Sequence, residues 1–164
     1  MIFLTLGTQL AFDRLVQAVD EIVPNISEPV FGQIGNSNYK PKNFEYVTAL
    51  SPTDFTKKFS ESRVIIAHAG IGTILSGQKA EKPLVLMARI AKFGEHRNDH
   101  QLATIEQIKR LDGVYIVENK DDIKNIVTRS RIEPMKNSRS NSLDSLINNI
   151  KKEIFKDDKN IINN

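Results

Sequence analysis

The chain has 164 residues, of which 40% are hydrophobic and 26% charged. That balance describes one globular domain with a core of its own, and excludes a disordered or fibrous chain. There is no cysteine, so a disulfide framework, a thiolate zinc site and a cysteine nucleophile are all excluded. The formal charge is +3 and the isoelectric point about 9.1, but no basic run carries interleaved aromatics. Nucleic acid is therefore not expected as a partner, whereas anionic lipid or a phosphorylated ligand suits a basic surface.

No leader is expected at the start of the chain. Met1 runs into Ile2-Phe3-Leu4-Thr5-Leu6, which is too short for a signal core and has no basic flank. No run approaches the roughly 18 apolar residues of a spanning helix. A cytoplasmic protein that does not itself cross a membrane is expected.

Residues 2–6 form a short apolar run that reads as a buried strand, closed by Gly7-Thr8-Gln9. From Asp13 the period changes: Leu15, Val16, Val19, Ile22 and Val23 recur at helical spacing, with Asp13 as N-cap and Pro24-Asn25 as the stop. Residues 29–34 and 44–47 read as strands separated by Gly35-Asn36-Ser37-Asn38. Ser51-Pro52-Thr53-Asp54 starts a helix that runs to about residue 62, with proline in its first turn.

Val64-Ile65-Ile66-Ala67 is apolar throughout, as strands inside parallel sheets are. It leads into His68-Ala69-Gly70-Ile71-Gly72-Thr73 and a helix over 73–80. Then follow a strand at 83–87, a polar loop at 88–99, a helix at 100–111, a strand at 114–117 and a helix at 121–129. Strands alternating with helices at this spacing predict a Rossmann-like α/β fold, a parallel sheet flanked by helices. The domain is expected over 1–131, followed by a linker at 132–141, an amphipathic helix at 142–156 and a frayed tail at 157–164.

Three segments carry chemistry. After the fourth strand, Gly70 and Gly72 would let the backbone approach a ligand, and the following helix offers unpaired N–H groups and a positive dipole end to a diphosphate. Thr73 adds a hydroxyl. The same glycines would also serve a plain strand-to-helix turn. The third glycine of a dinucleotide fingerprint is missing, which disfavours NAD. Gly7-Thr8-Gln9 follows the first strand, and ligands of open α/β sheets sit outside strand C-termini. Phe93-Gly94-Glu95-His96-Arg97-Asn98-Asp99-His100-Gln101 is the third segment: Asn98, Asp99 and Gln101 suit sugar hydroxyls. His96 and His100 lack the order of a zincin motif, so no metal is expected.

Together these blocks resemble the C-terminal domains of glycosyltransferase family 28. The likeness rests on residues 2–9 with Phe12-Asp13-Arg14-Leu15-Val16, on His68-Ala69-Gly70-Ile71-Gly72-Thr73-Ile74-Leu75, on Lys82-Pro83-Leu84-Val85 and on Asn98-Asp99-His100-Gln101, in that order. It is similar above all to small stand-alone members. These include the catalytic subunit of the two-part N-acetylglucosaminyltransferase of the dolichol pathway and bacterial capsule and exopolysaccharide subunits. Two departures stand out: Lys79-Ala80-Glu81-Lys82-Pro83 lacks the family's glycine, and Ser76-Gly77-Gln78 stands where a ribose-binding glutamate is usual.

The resemblance implies the C-terminal half of a GT-B glycosyltransferase, with a UDP-sugar as donor substrate and no cofactor. The diphosphate would lie on Gly7, Thr8, Gln9 and on Ala69, Gly70, Ile71, Gly72 and Thr73, the uracil near Gln33-Ile34-Gly35, and the sugar on Asn98, Asp99 and Gln101. His68 is the candidate catalytic residue, as an electrostatic or positioning group. The expected activity is transfer of a hexose, galactose or glucuronic acid first and N-acetylglucosamine still open, to a lipid-linked saccharide in surface polysaccharide synthesis. A membrane-attached subunit would supply the acceptor domain and recruit the chain to the inner face of the cytoplasmic membrane. A non-catalytic accessory subunit is the alternative. A standalone hydrolase or epimerase is disfavoured, because no Gly-x-Ser-x-Gly elbow is present.

Overall fold

The computed structural model describes residues 1–7 and 10–136, with Asn148 and Lys152. Both of the latter are helical, and the rest of the segments read as linker end, terminal helix and tail lies outside the described residues. Six strands form one parallel sheet: β1 (Ile2–Thr5), β2 (Val30–Gln33), β3 (Glu45–Val47), β4 (Val64–His68), β5 (Leu84–Met87) and β6 (Val114–Ile116). Within residues 1–136 five α-helices accompany them: α1 (Asp13–Ile22), α2 (Pro52–Glu61), α3 (Ile71–Lys79), α4 (His100–Ile108) and α5 (Lys120–Val127). The strands and helices expected over residues 1–131 are present, with ends shifted by at most three residues. The largest functional shift is at α3, which starts at Ile71 rather than Thr73.

The spatial order is β3-β2-β1-β4-β5-β6. Because successive side chains of a strand point to opposite faces, each strand feeds two cores. Ile2, Leu4, Ile66 and Val85 join Leu15, Val16 and Val19 of α1 and Ile123 and Val127 of α5. Phe3, Ile65, Leu84 and Leu86 join Phe59 of α2, Ile74 of α3 and Ile108 of α4. Phe3 sits at the centre of an aromatic group with Phe31, Phe55 and Phe59, at ring separations of 5.6 to 6.4 Å. Residues 132–136 return to this core, and Met135 is buried in it beside Gly113.

Two caps came out differently. Ser51 caps α2 as expected, its hydroxyl accepting from the Asp54 amide at 3.1 Å. Asp13 does not cap α1. The N-cap is Phe12, without a side-chain bond, and Asp13 instead accepts from the Ser37 hydroxyl at 2.5 Å and the Asn38 amide at 2.9 Å. Those hydrogen bonds hold its carboxyl below the ordinary range against the opposing effect of burial, the largest single influence. The tertiary demand is clear: the crossover from β2 to β3 runs through residues 34–44 without a helix, so its polar backbone needs partners. Buried Asp20 supplies more, accepting from the amides of Lys42 and Asn43 and from the Tyr39 hydroxyl.

Gly77 lies where α3 crosses β5. A Cβ there would stand 2.6 Å from both Cδ atoms of Leu84, a residue with no exposure. Gly77→Ala is therefore expected to destabilise the chain by about 1–3 kcal/mol through overpacking, despite a gain of about 1 kcal/mol in helix propensity. Chemical denaturation would show the midpoint falling; a rise would mean the helix has room to shift.

Candidate crevice at the switch point of the sheet

From β1 the chain winds outward to β2 and β3, and from β4 it winds the other way to β5 and β6. Neighbouring loops after β1 and β4 therefore leave in opposite directions, and a crevice opens between them, the place where open α/β sheets bind ligands. A cavity of about 580 Å³ lies there. Its floor is Thr5, Gly7, His68, Gly72 and Thr73; Gln33, Leu50, Pro52 and Phe55 form one flank, and Arg89, His96 and Gln101 the other.

At the head of α3, Gly70 is the N-cap and has no side chain to satisfy the first amides. Its carbonyl takes the amides of Thr73 and Ile74, at 3.1 and 3.2 Å. The amides of Ile71 and Gly72 have no acceptor among the described residues. A Cβ on Gly72 would meet nothing within 4 Å, so the backbone there faces open space. Unpaired N–H groups at a positive dipole end, with no side chain above them, suit an oxyanion.

Gly7 and Gly70 do a different job. A Cβ on Gly70 would lie 2.2 Å from His68 Nε2, and one on Gly7 would lie 3.0 Å from His68 Cε1. The imidazole thus occupies the gap between two loops that only glycines leave open. Gly7 also adopts φ +71°, a conformation natural to glycine. Burial pushes the His68 ring down to about 4; the Arg89 guanidinium adds to this, the Thr5 carbonyl opposes it, and His96 contributes least. Nδ1 of His68 nonetheless has no hydrogen bond of ordinary geometry among the described residues. At neutral pH the ring is therefore uncharged.

Arg89 is the residue that sequence reasoning missed. It follows β5 and is 2% exposed, yet it is a cation. Its guanidinium donates to the carbonyls of Leu6, Leu10 and Ala11 at 2.8, 2.8 and 2.9 Å, and lies 5.1 Å from the Phe12 ring centroid. Burial lowers its pKa to about 10, with Glu95 opposing, so it stays charged at pH 7. Glu95 itself is held by Arg14 through a two-point contact of 2.8 and 2.9 Å and accepts from the Ile90 amide. The only hint in the sequence was an arginine directly after an apolar strand.

The other expected site residues divide. Gln101 lines the cavity, and its Oε1 accepts from the Arg89 amide at 3.0 Å. Asn98 and Asp99 are turned to the loop itself: Asn98 Oδ1 meets His96 Nδ1 and the His100 amide, and Asp99 accepts from the Ala91 amide at 2.8 Å. Ala69 packs on Ala88 and Ile105, so only its backbone faces the turn. Gly35 lies behind Gly7, 3.4 Å from the carbonyl of Gly7 to where its Cβ would be, and Thr8 and Gln9 lie outside the described residues. Among the described residues no helix is long and apolar enough to cross a membrane.

A six-stranded parallel sheet in this order, with a crevice between its two innermost strands, defines a Rossmann-like domain. More narrowly, the chain belongs to the glycosyltransferase family 28 C-terminal domain, whose family model matches residues 1–159. Over 78 residues it is 32% identical to the UDP-N-acetylglucosamine transferase subunit ALG13 of Debaryomyces hansenii, covering 44% of this chain and 37% of that protein. Its fold is similar to the glycotransferase of kitacinnamycin, at TM-score 0.60, 16% identity and coverage of 93% of this chain and 38% of that one. It is also similar to the glycosyltransferase SnogD from Streptomyces nogalater, at TM-score 0.56 and 15% identity, again over 93% of this chain and 38% of that one. The chain spans less than two fifths of the length of each of these relatives. The architecture is thus the expected one, equivalent to the C-terminal half of a GT-B glycosyltransferase.

His68 also predicts a pH dependence. Its pKa is depressed from 6.5 to about 4, so the stability it contributes is complete above pH 6.5 and is lost as pH falls through 4. Unfolding free energies measured from pH 7.5 to 4.5 should show the wild type losing more than His68→Gln, by a slope approaching one proton. Parallel curves would mean the ring is not held neutral.

Proposed function

We propose that the chain is the donor-binding catalytic subunit of a two-part UDP-sugar hexosyltransferase. The observation that carries this reading is the pair of unpaired amides at Ile71 and Gly72, facing open space at the head of α3. The family membership and the likeness to a UDP-N-acetylglucosamine transferase subunit support it.

In this reading the diphosphate lies on those amides and beside the Gly7 loop. As the bond from the sugar to the leaving oxygen breaks, negative charge grows on the diphosphate. Fixed N–H dipoles already aimed there stabilise it without reorganisation. The buried Arg89 charge adds to the same field. His68, being neutral, offers shape and a polar edge without competing as a second cation. Gln101 orients the sugar. The nucleoside takes the flank of Gln33, Leu50, Pro52 and Phe55, an apolar wall with one amide, whose Oε1 is engaged by the Leu50 amide at 3.0 Å. Galactose or glucuronic acid is the proposed sugar and a lipid-linked saccharide the acceptor. A membrane-attached subunit closes the other side of the crevice and brings the chain to the inner face of the cytoplasmic membrane.

One observation favours the alternative of an accessory, non-catalytic subunit. Ser76 lines the cavity where relatives of this family usually place a carboxylate, and its hydroxyl donates to the Gly72 carbonyl at 2.9 Å. A ribose contact through a carboxylate is absent at that position.

Calorimetric titration with UDP tests the primary reading. The wild type should bind, and Gly72→Asp should abolish binding by setting a carboxylate beside the diphosphate. Its melting temperature should fall little, because its Cβ meets open space. No heat with wild type would end the donor assignment. Turnover of the assembled transferase unchanged by Gly72→Asp would favour the accessory role.

A further inference from the structure

Arg89 lies beside the proposed donor site but presents almost no surface to a ligand. Its hydrogen bonds point elsewhere. Leu6 is the last residue before the Gly7-Thr8-Gln9 segment, and Leu10 and Ala11 are the first after it. One guanidinium reaches all three carbonyls at 2.8 to 2.9 Å, so it joins both feet of the loop. Its own backbone is locked by Gln101, and the Phe12 ring stacks against it. The Glu95 carboxylate is occupied by Arg14 and the Ile90 amide. Arg89 is thereby committed to carbonyls rather than to an acid.

We propose that Arg89 is the positioning residue beside the donor crevice: its guanidinium clasps Leu6 to Leu10 and Ala11 and so holds Gly7 against the crevice. This rests on the donor-binding reading above for its functional consequence, though not for the clasp itself. A planar fork with five donors can bridge three carbonyls, whereas a lysine ammonium at the end of a flexible stem cannot span them. Without the clasp Gly7 must be fixed at each binding event, which weakens the contact with phosphate and leaves contacts to the base alone. The unpaired, buried Nε marks a residue fitted to loop geometry more than to its own hydrogen-bonding needs.

Arg89→Lys and Arg89→Met in the full chain test this through two readouts. Amide hydrogen exchange in the ligand-free protein should accelerate about tenfold or more at residues 6–12, while the amides of β4 and β5 keep their protection. Affinity for UDP should fall by about tenfold or more, while affinity for uridine, followed by chemical shift, changes by less than about twofold. Unchanged exchange in the loop, or acceleration spread evenly through the sheet, would overturn the clasp. So would an equal loss of UDP and uridine binding. If wild type binds no UDP, the donor reading fails by itself and hydrogen exchange still decides the clasp. If neither variant folds, the wild-type guanidinium protons of Arg89 decide: slow exchange with solvent is required, and exchange as fast as that of an exposed arginine rejects the proposal.

Discussion

Two loops meet where β1 and β4 end, and the space between them is one imidazole thick. The register of these strands sets Thr5 beside Ala67, so the two loops begin side by side before they diverge to opposite sides. Any Cβ at position 70 would overlap the His68 ring, and one at position 7 would press on it. The ring in turn keeps the loops apart and closes the floor of the crevice. From this sandwich the remaining geometry follows. Gly70 is free to cap α3 without a side chain, Ile71 and Gly72 present their amides, and the Gly7 turn faces them across the cavity.

Electrostatics around the sandwich are one-sided. His68 is kept neutral by burial and by Arg89, while Arg89 keeps its charge although almost nothing of it reaches solvent. A buried cation without a carboxylate in contact is costly unless its donors are used, and here carbonyls use those of its two terminal nitrogens. The same residue thus serves loop geometry and leaves a positive field in the crevice. Glu95 offsets part of that field, but its carboxylate is shared with Arg14 and the Ile90 amide.

The long crossover between β2 and β3 shows how the domain stays compact without a sixth flanking helix there. Asp13 and Asp20, about two helical turns apart on α1, bind the backbone of residues 38–43. That arrangement seats Gly35 behind Gly7 and so supports the floor of the crevice from beneath.

The apolar runs, their lengths and the glycines that punctuate them settled the strands, the helices and the parallel class of the sheet, because burial on both faces demands continuous hydrophobic strands. The glycine pair after the fourth strand likewise marked the crevice, since only backbone without Cβ admits close approach. Partners far apart in sequence were decided only by folding. Arg89 acts on carbonyls some 80 positions away. Asp13 left its cap for a loop that needed it, and Asn98 and Asp99, polar enough for sugar, also bond within their own loop. Residue type states what a side chain can bond; which of those bonds it makes depends on what the rest of the chain brings within 3 Å or so of it.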